Sequence, residues 1–122
     1  MKVRGARKAC VLKTVNLKSD LPAVRTALER LERELALARA GGLKALKVIH
    51  GYGSTGAGGD IRIAVQNRLL VFKENGSIRG CIFGENWSKS HELAWGLLRS
   101  NPSLKDDADL GRANRGITIV VF

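Results

Sequence analysis

The chain has 122 residues, with 21 Lys+Arg against 11 Asp+Glu, a net charge of +10 and a sequence pI near 10.3. Its hydrophobic content of 44% suffices for a domain of this size to bury roughly two-thirds of its unfolded surface, which excludes disorder along the whole length. No apolar run approaches the roughly 18 residues of a membrane span and the basic N-terminus lacks the apolar stretch of a secretory leader, so a cytoplasmic protein without membrane contact is expected.

Residues 1–10, with Lys2, Arg4, Arg7 and Lys8, read as a basic arm. Cys10 to Leu17 is short, β-branched and apolar, the composition of a strand. Ser19 or Asp20 then offers an N-cap, and Leu21, Val24, Leu28, Leu31, Leu35 and Ala38 recur at the three- and four-residue spacing of one buried helix stripe that Gly41 and Gly42 end. Leu46 to Ile49 is a second strand. A glycine-rich loop from His50 to Gly59 leads into a second helix capped by Gly59 or Asp60, with Ile61, Ala64, Val65, Leu69 and Phe72 on its buried side. Glu74, Asn75 and Gly76 form a turn before a third strand over Ser77 to Phe83. Ser88 to Ser100 is a short helix in which Trp95, Leu97 and Leu98 pack inward, whereas Trp87, between Asn86 and Ser88, is the exposed tryptophan. Ser103 to Arg115 reads as a long loop, and Ile117 to Phe122 as a closing strand.

The order βαβαβ(α)β implies an α/β fold, a two-layer sandwich with a mixed sheet of about four strands. Strands joined through helices are expected to pair in parallel, and the last two strands to pair antiparallel. Cys10 and Cys81 are far apart with no Cys/His cluster, so neither a disulfide framework nor a zinc site is indicated, and both read as small core residues on strands. No carboxylate cluster suited to Mg²⁺ is recognisable. Asp106, Asp107 and Asp109 read as a solvated acidic patch, and His91, beside Glu92, as an exposed residue of the short helix.

The charge is unevenly distributed. Residues 1–40, 41–83 and 84–122 carry +6, +4 and 0, and an asymmetric positive surface points to a polyanion, of which nucleic acid is the commonest soluble one. Residues 50–62, HGYGSTGAGGDIR, put five glycines between a strand and a helix. Such a loop brings backbone N–H groups close to a ligand at a helix N-terminus, where the macrodipole favours phosphate. Ser54 and Thr55 add hydroxyl donors, Arg62 adds charge in the first helical turn, Tyr52 can stack on a base, and His50 can exchange a proton near neutral pH. Gly51, Gly53 and Gly56 literally satisfy G-x-G-x-x-G, but the loop follows the second strand and no acid ends the next one, so no dinucleotide or other small-molecule cofactor is expected. A P-loop is excluded because no Gly-Lys-Ser/Thr follows.

Val48-Ile49-His50-Gly51-Tyr52-Gly53, closed by Ile61-Arg62, resembles the second motif of the Smr, or small MutS-related, domain: a strand, His-Gly-x-Gly, a glycine-containing loop and Leu/Ile-Arg opening a helix. Gly116 to Val121 looks like the family's terminal glycine and strand. The resemblance spans roughly residues 11–122 as one domain, with 84–115 an enlarged final connection. It implies a fold similar to the C-terminal domain of bacterial translation initiation factor three, and binding to DNA or RNA that several members also nick or cleave.

The family's first motif, Leu-Asp-Leu-His-Gly, is replaced here by Val15-Asn16-Leu17-Lys18-Ser19. Asn16 accepts no proton at neutral pH, and a lysine, protonated there, is a poor general base. Lys18 nevertheless puts a positive charge where a phosphate would lie, able to stabilise a developing phosphorane. Losing proton transfer worth a typical 10²- to 10⁴-fold corresponds to about 3–5 kcal/mol of transition-state stabilisation. The expected function is nucleic-acid binding with nuclease activity reduced or absent. Phosphate would be held by Asn16, Lys18, His50, Gly51, Tyr52, Gly53, Ser54, Thr55, Gly56, Gly58 and Arg62. The alternatives are a metal-independent endonuclease with His50 transferring protons and Lys18 stabilising charge, and a protein-interaction module presenting Trp87 and Trp95.

Overall fold

The computed structural model describes residues 11–19, 23–51 and 56–122; the basic arm with Cys10, the Asp20–Pro22 segment and loop residues Tyr52, Gly53, Ser54 and Thr55 lie outside them. Its elements are β1 (Leu12–Asn16), α1 (Val24–Ala40), β2 (Ala45–Ile49), α2 (Gly56–Glu74), β3 (Gly80–Phe83), α3 (Glu92–Ser100) and β4 (Ile117–Val121), with 3-10 turns at Gly84–Asn86 and Pro102–Asp106.

The four strands form one mixed sheet in the order β1-β2-β4-β3. β1 and β2 are parallel, and β4 runs antiparallel to both β2 and β3. The last two strands pair as expected, but β2 and β3 are not neighbours because β4 lies between them. All five residues of β4 are buried. A strand apolar on both faces belongs at the centre of a sheet, where both faces are covered.

On one face, Ala27, Leu31, Leu35 and Ala38 of α1 and Ile61, Val65 and Leu69 of α2 pack against Val15, Leu46, Val48 and Val120. This is the two-layer α/β core. The 84–115 connection covers the other face, where Trp87, Ala94, Leu97, Leu98 and Leu104 meet Ala45, Ile82, Ile117, Ile119 and Val121.

Helix starts differ from the sequence reading. α1 begins with Ala23 as N-cap and no side-chain cap, because Ser19 belongs to a separate turn closed by Asn16. Its end is as read: Gly42, at φ +74°, lets the Leu43 amide reach the Ala38 carbonyl and the Gly42 amide that of Arg39, the Schellman pattern. α2 begins at Gly56, three residues before Gly59, so Gly56 and Gly58 are helical. Glycine costs about 1 kcal/mol at such positions but does not forbid them once buried Ile61 anchors the turn.

The tryptophans are reversed. Trp87 is 1% exposed and Trp95 39%. Ala94, Leu97 and Leu98 set the inward face of α3, which turns Trp95 outward, whereas the Trp87 indole N–H finds a partner in Asp107 Oδ2 at 3.0 Å. Burying an indole of about 200 Å² contributes on the order of 5 kcal/mol, so Trp87 anchors the connection to the sheet.

The supposed acidic patch is largely internal as well. Asp107 Oδ1 and Asp109 Oδ2 lie 2.8 and 2.5 Å from Lys47 Nζ, and Lys47 is buried in β2. An ammonium under the connection needs counter-charges, and these two aspartates supply them. His91, half-buried, does not lie in the helix but caps it, its Nδ1 accepting from the Ala94 amide. Pro102–Asp106 turns part of the expected long loop into 3-10 helix. Cys81 is half-buried on β3, as read, and burial raises its thiol pKa.

Candidate nucleic-acid interface

The parallel register sets Asn16 opposite Ile49, and the Leu17 amide continues the ladder to the Ile49 carbonyl at 2.8 Å. The C-terminal ends of β1 and β2 therefore lie side by side, bringing Asn16 and Lys18 to His50 and Gly51. The crevice beyond the carboxyl ends of parallel strands is where open α/β sheets commonly bind ligands.

Asn16 organises the first of these ends. Its Oδ1 accepts from the amides of Lys18 at 2.9 Å and Ser19 at 3.0 Å, an Asx turn that fixes the chain as it leaves β1. Lys18 is exposed, and its stem lies over Gly51: a Cβ at Gly51 would stand 3.3 Å from Lys18 Cδ. Gly51 also has φ +74°, a backbone conformation that favours glycine here. The Gly116 carbonyl accepts from the amides of both His50 and Gly51 at 3.0 Å, tying the start of β4 to the same corner.

His50 is wholly buried. Its Nδ1 lies 2.5 Å from the Gly51 carbonyl and its Nε2 2.8 Å from Thr118 Oγ1. A carbonyl only accepts, so Nδ1 carries the proton and Nε2 accepts from the Thr118 hydroxyl. Gln66 Nε2 donates to that hydroxyl oxygen at 3.3 Å, and Arg62 Nη1 donates to Gln66 Oε1 at 3.5 Å. The directed chain runs Arg62, Gln66, Thr118, His50, Gly51. Burial draws the His50 pKa below its ordinary 6.5; the Gly51 carbonyl opposes this, Arg62 adds to it and Glu85 opposes it. The neutral imidazole has both nitrogens occupied.

Sequence reasoning placed Asn16, Lys18, His50, Gly51 and Arg62 in one region, and they meet at this end of the sheet; the helical Gly56 and Gly58 follow in the first turn of α2. It missed Thr118, Gln66 and the Gly116 carbonyl. Both side chains left a signal, being polar residues at inward positions of a strand and a helix stripe that otherwise bury only apolar groups. Among the described residues, no group of three or more His, Cys, Asp or Glu is arranged to hold a metal ion, and no helix is long and apolar enough to cross a membrane.

No protein-family model and no curated protein sequence matches the chain. Among solved structures, the crystal structure of the Smr domain of Thermus thermophilus MutS2 is similar, with a TM-score of 0.55 at 24% identity over 89% of this chain and 95% of that one. The chain therefore has an Smr-like fold.

Proposed function

We propose that this chain binds nucleic acid by its phosphate backbone at the C-terminal ends of β1 and β2, with nuclease activity reduced or absent. The observation that carries the reading is the pairing of an exposed cation with a buried, neutral histidine: Lys18 lies over Gly51 at the mouth, while both nitrogens of His50 are engaged beneath it. A general base needs a free lone pair within reach of the proton it takes. His50 instead fixes the Gly51 backbone, as a positioning residue, and binding falls to Lys18, Arg62 and the start of α2. Among the described residues, the buried Arg62 Nε has no hydrogen-bond partner. The Smr-like fold, shared with a domain of MutS2, agrees with this assignment.

The test is an assay of binding and cleavage on labelled RNA, duplex DNA and branched DNA. With about five phosphates neutralised, log K against log[salt] on duplex DNA should have a slope near −4 to −5, without strand cleavage. A flat salt response overturns the nucleic-acid reading. Robust cleavage with an acidic pH limb that His50→Gln removes overturns the second half in favour of a metal-independent endonuclease.

A further inference from the structure

Residues 84–122 are neutral by count, with five basic and five acidic side chains. Their surface is not. Asp107 and Asp109 are turned inward onto Lys47, which leaves five cations against Glu85, Glu92 and Asp106. Trp95 stands in this positive surface, 39% exposed, with the Arg99 guanidinium 5.9 Å and the Lys105 ammonium 5.8 Å from its ring centre. Arg99 also lines a cleft of about 650 Å³ whose wall carries Lys44 and Arg79, with Glu92 as the one acidic side chain there among the described residues. None of these four cations forms an ion pair among the described residues.

We infer that Trp95 and the cleft beside it form a second nucleic-acid contact that takes unpaired nucleotides, a reading that rests on the function proposed above. An aromatic face supplies the stacking surface for a base, and the flanking cations supply the phosphate contacts, the combination by which proteins hold single strands without reading sequence. A duplex keeps its bases stacked on one another and offers none to the ring. Exposed cation–aromatic pairs at nearly 6 Å are weak, so a base displaces a cation from the ring and that cation becomes free for phosphate. Trp95 and Arg99 lie on α3 and Lys105 on the Pro102–Asp106 turn, with Lys44 and Arg79 just before β2 and β3, apart from the C-terminal ends of β1 and β2.

The experiment measures fluorescence anisotropy of a labelled oligo-dT and of a labelled duplex with wild-type protein, Trp95→Ala, Trp95→Phe and Lys18→Gln, each checked for folding by circular dichroism. Trp95→Ala should weaken oligo-dT binding roughly 5- to 150-fold, the range for losing one stacked base, and duplex binding less than twofold. Trp95→Phe should restore most of the lost affinity, and Lys18→Gln should weaken both ligands. Unchanged oligo-dT affinity in Trp95→Ala overturns the second contact, and is the result a protein-docking role for this patch would give. Equal weakening of both ligands also overturns it. If wild type binds neither ligand, the failure lies with the nucleic-acid reading itself.

Discussion

The Thr118 hydroxyl and the His50 imidazole meet across the ends of the two central strands, 2.8 Å apart and both without solvent exposure. That hydroxyl donates to His50 Nε2 and accepts from Gln66, so one atom serves two buried polar groups.

Replacing the hydroxyl by a methyl of the same shape removes both bonds at once. Thr118→Val should lose about 2–4 kcal/mol of unfolding free energy, since each stranded buried polar group costs roughly 1–3 kcal/mol. Thr118→Ser keeps the hydroxyl and should lose about 1 kcal/mol, the value of one buried methyl. Urea denaturation of the two variants decides it; equal losses would mean that the hydroxyl does not hold the network.

The pH dependence follows from the same histidine. Burial holds the His50 imidazole neutral in the fold, while the unfolded chain takes up a proton near its ordinary 6.5. Below that pH the unfolded state binds the extra proton. The histidine's contribution should be flat above about pH 7 and fall as pH drops below 6.5, by up to about 1.4 kcal/mol per pH unit until the folded value is reached. Asp109, held below its ordinary value first by Lys47 and then by Asn114, loses its contribution only at lower pH. Urea titrations between pH 5 and 7.5 should show the slope in wild type and not in His50→Gln, and proton NMR should find the His50 ring titrating below its ordinary 6.5.

These bonds mark the limit of what the sequence makes legible. Helix stripes such as Leu31–Leu35–Ala38 and Ile61–Val65–Leu69 are local patterns, and they appear as buried faces. The meeting of Lys18 with Gly51 is legible because two parallel strands joined by a helix must align their ends. Three other features depend on contacts between distant residues: the central place of β4, the burial of Trp87 on Asp107 and the pairing of Lys47 with two aspartates more than fifty positions away. A tryptophan flanked by asparagine and serine has the local signature of a surface residue until its partner is known. Lys47 itself was the available clue, a charge in the middle of an otherwise apolar strand.

That lysine gives a third prediction. Burial alone would lower the Lys47 ammonium, but Asp107 and Asp109 outweigh it and hold the group above its ordinary pKa. Its stabilising contribution is therefore complete below the ordinary lysine value and lost as pH rises through the raised one. Lys47→Met strands two partly buried carboxylates and should destabilise the fold by about 2–4 kcal/mol, somewhat under the range for a fully buried pair because both aspartates keep some solvent contact. Adding Asp107→Asn and Asp109→Asn to Lys47→Met should recover much of the loss, as chemical denaturation of single and triple variants would show. No recovery would mean that Lys47 acts through packing rather than charge.

Lys18 and Lys13 lie on the same edge of the sheet, yet among the described residues only Lys13 faces a carboxylate. The Lys13 ammonium is 3.0 Å from Glu34 on α1, whereas Lys18 has no acidic partner among the described residues and leans over Gly51. A cation already facing a carboxylate releases little counterion when a phosphate approaches, but an unpaired one adds about 0.9 to the salt slope on duplex DNA. Lys18→Gln should therefore make the slope of log K against log[salt] shallower by about 0.9, while Lys13→Gln leaves it within error of wild type. Both substitutions remove one positive charge, so a general surface effect would move them equally. Equal slopes for the two variants would take Lys18 off the phosphate path and leave the glycine loop and Arg62 to hold the backbone without it.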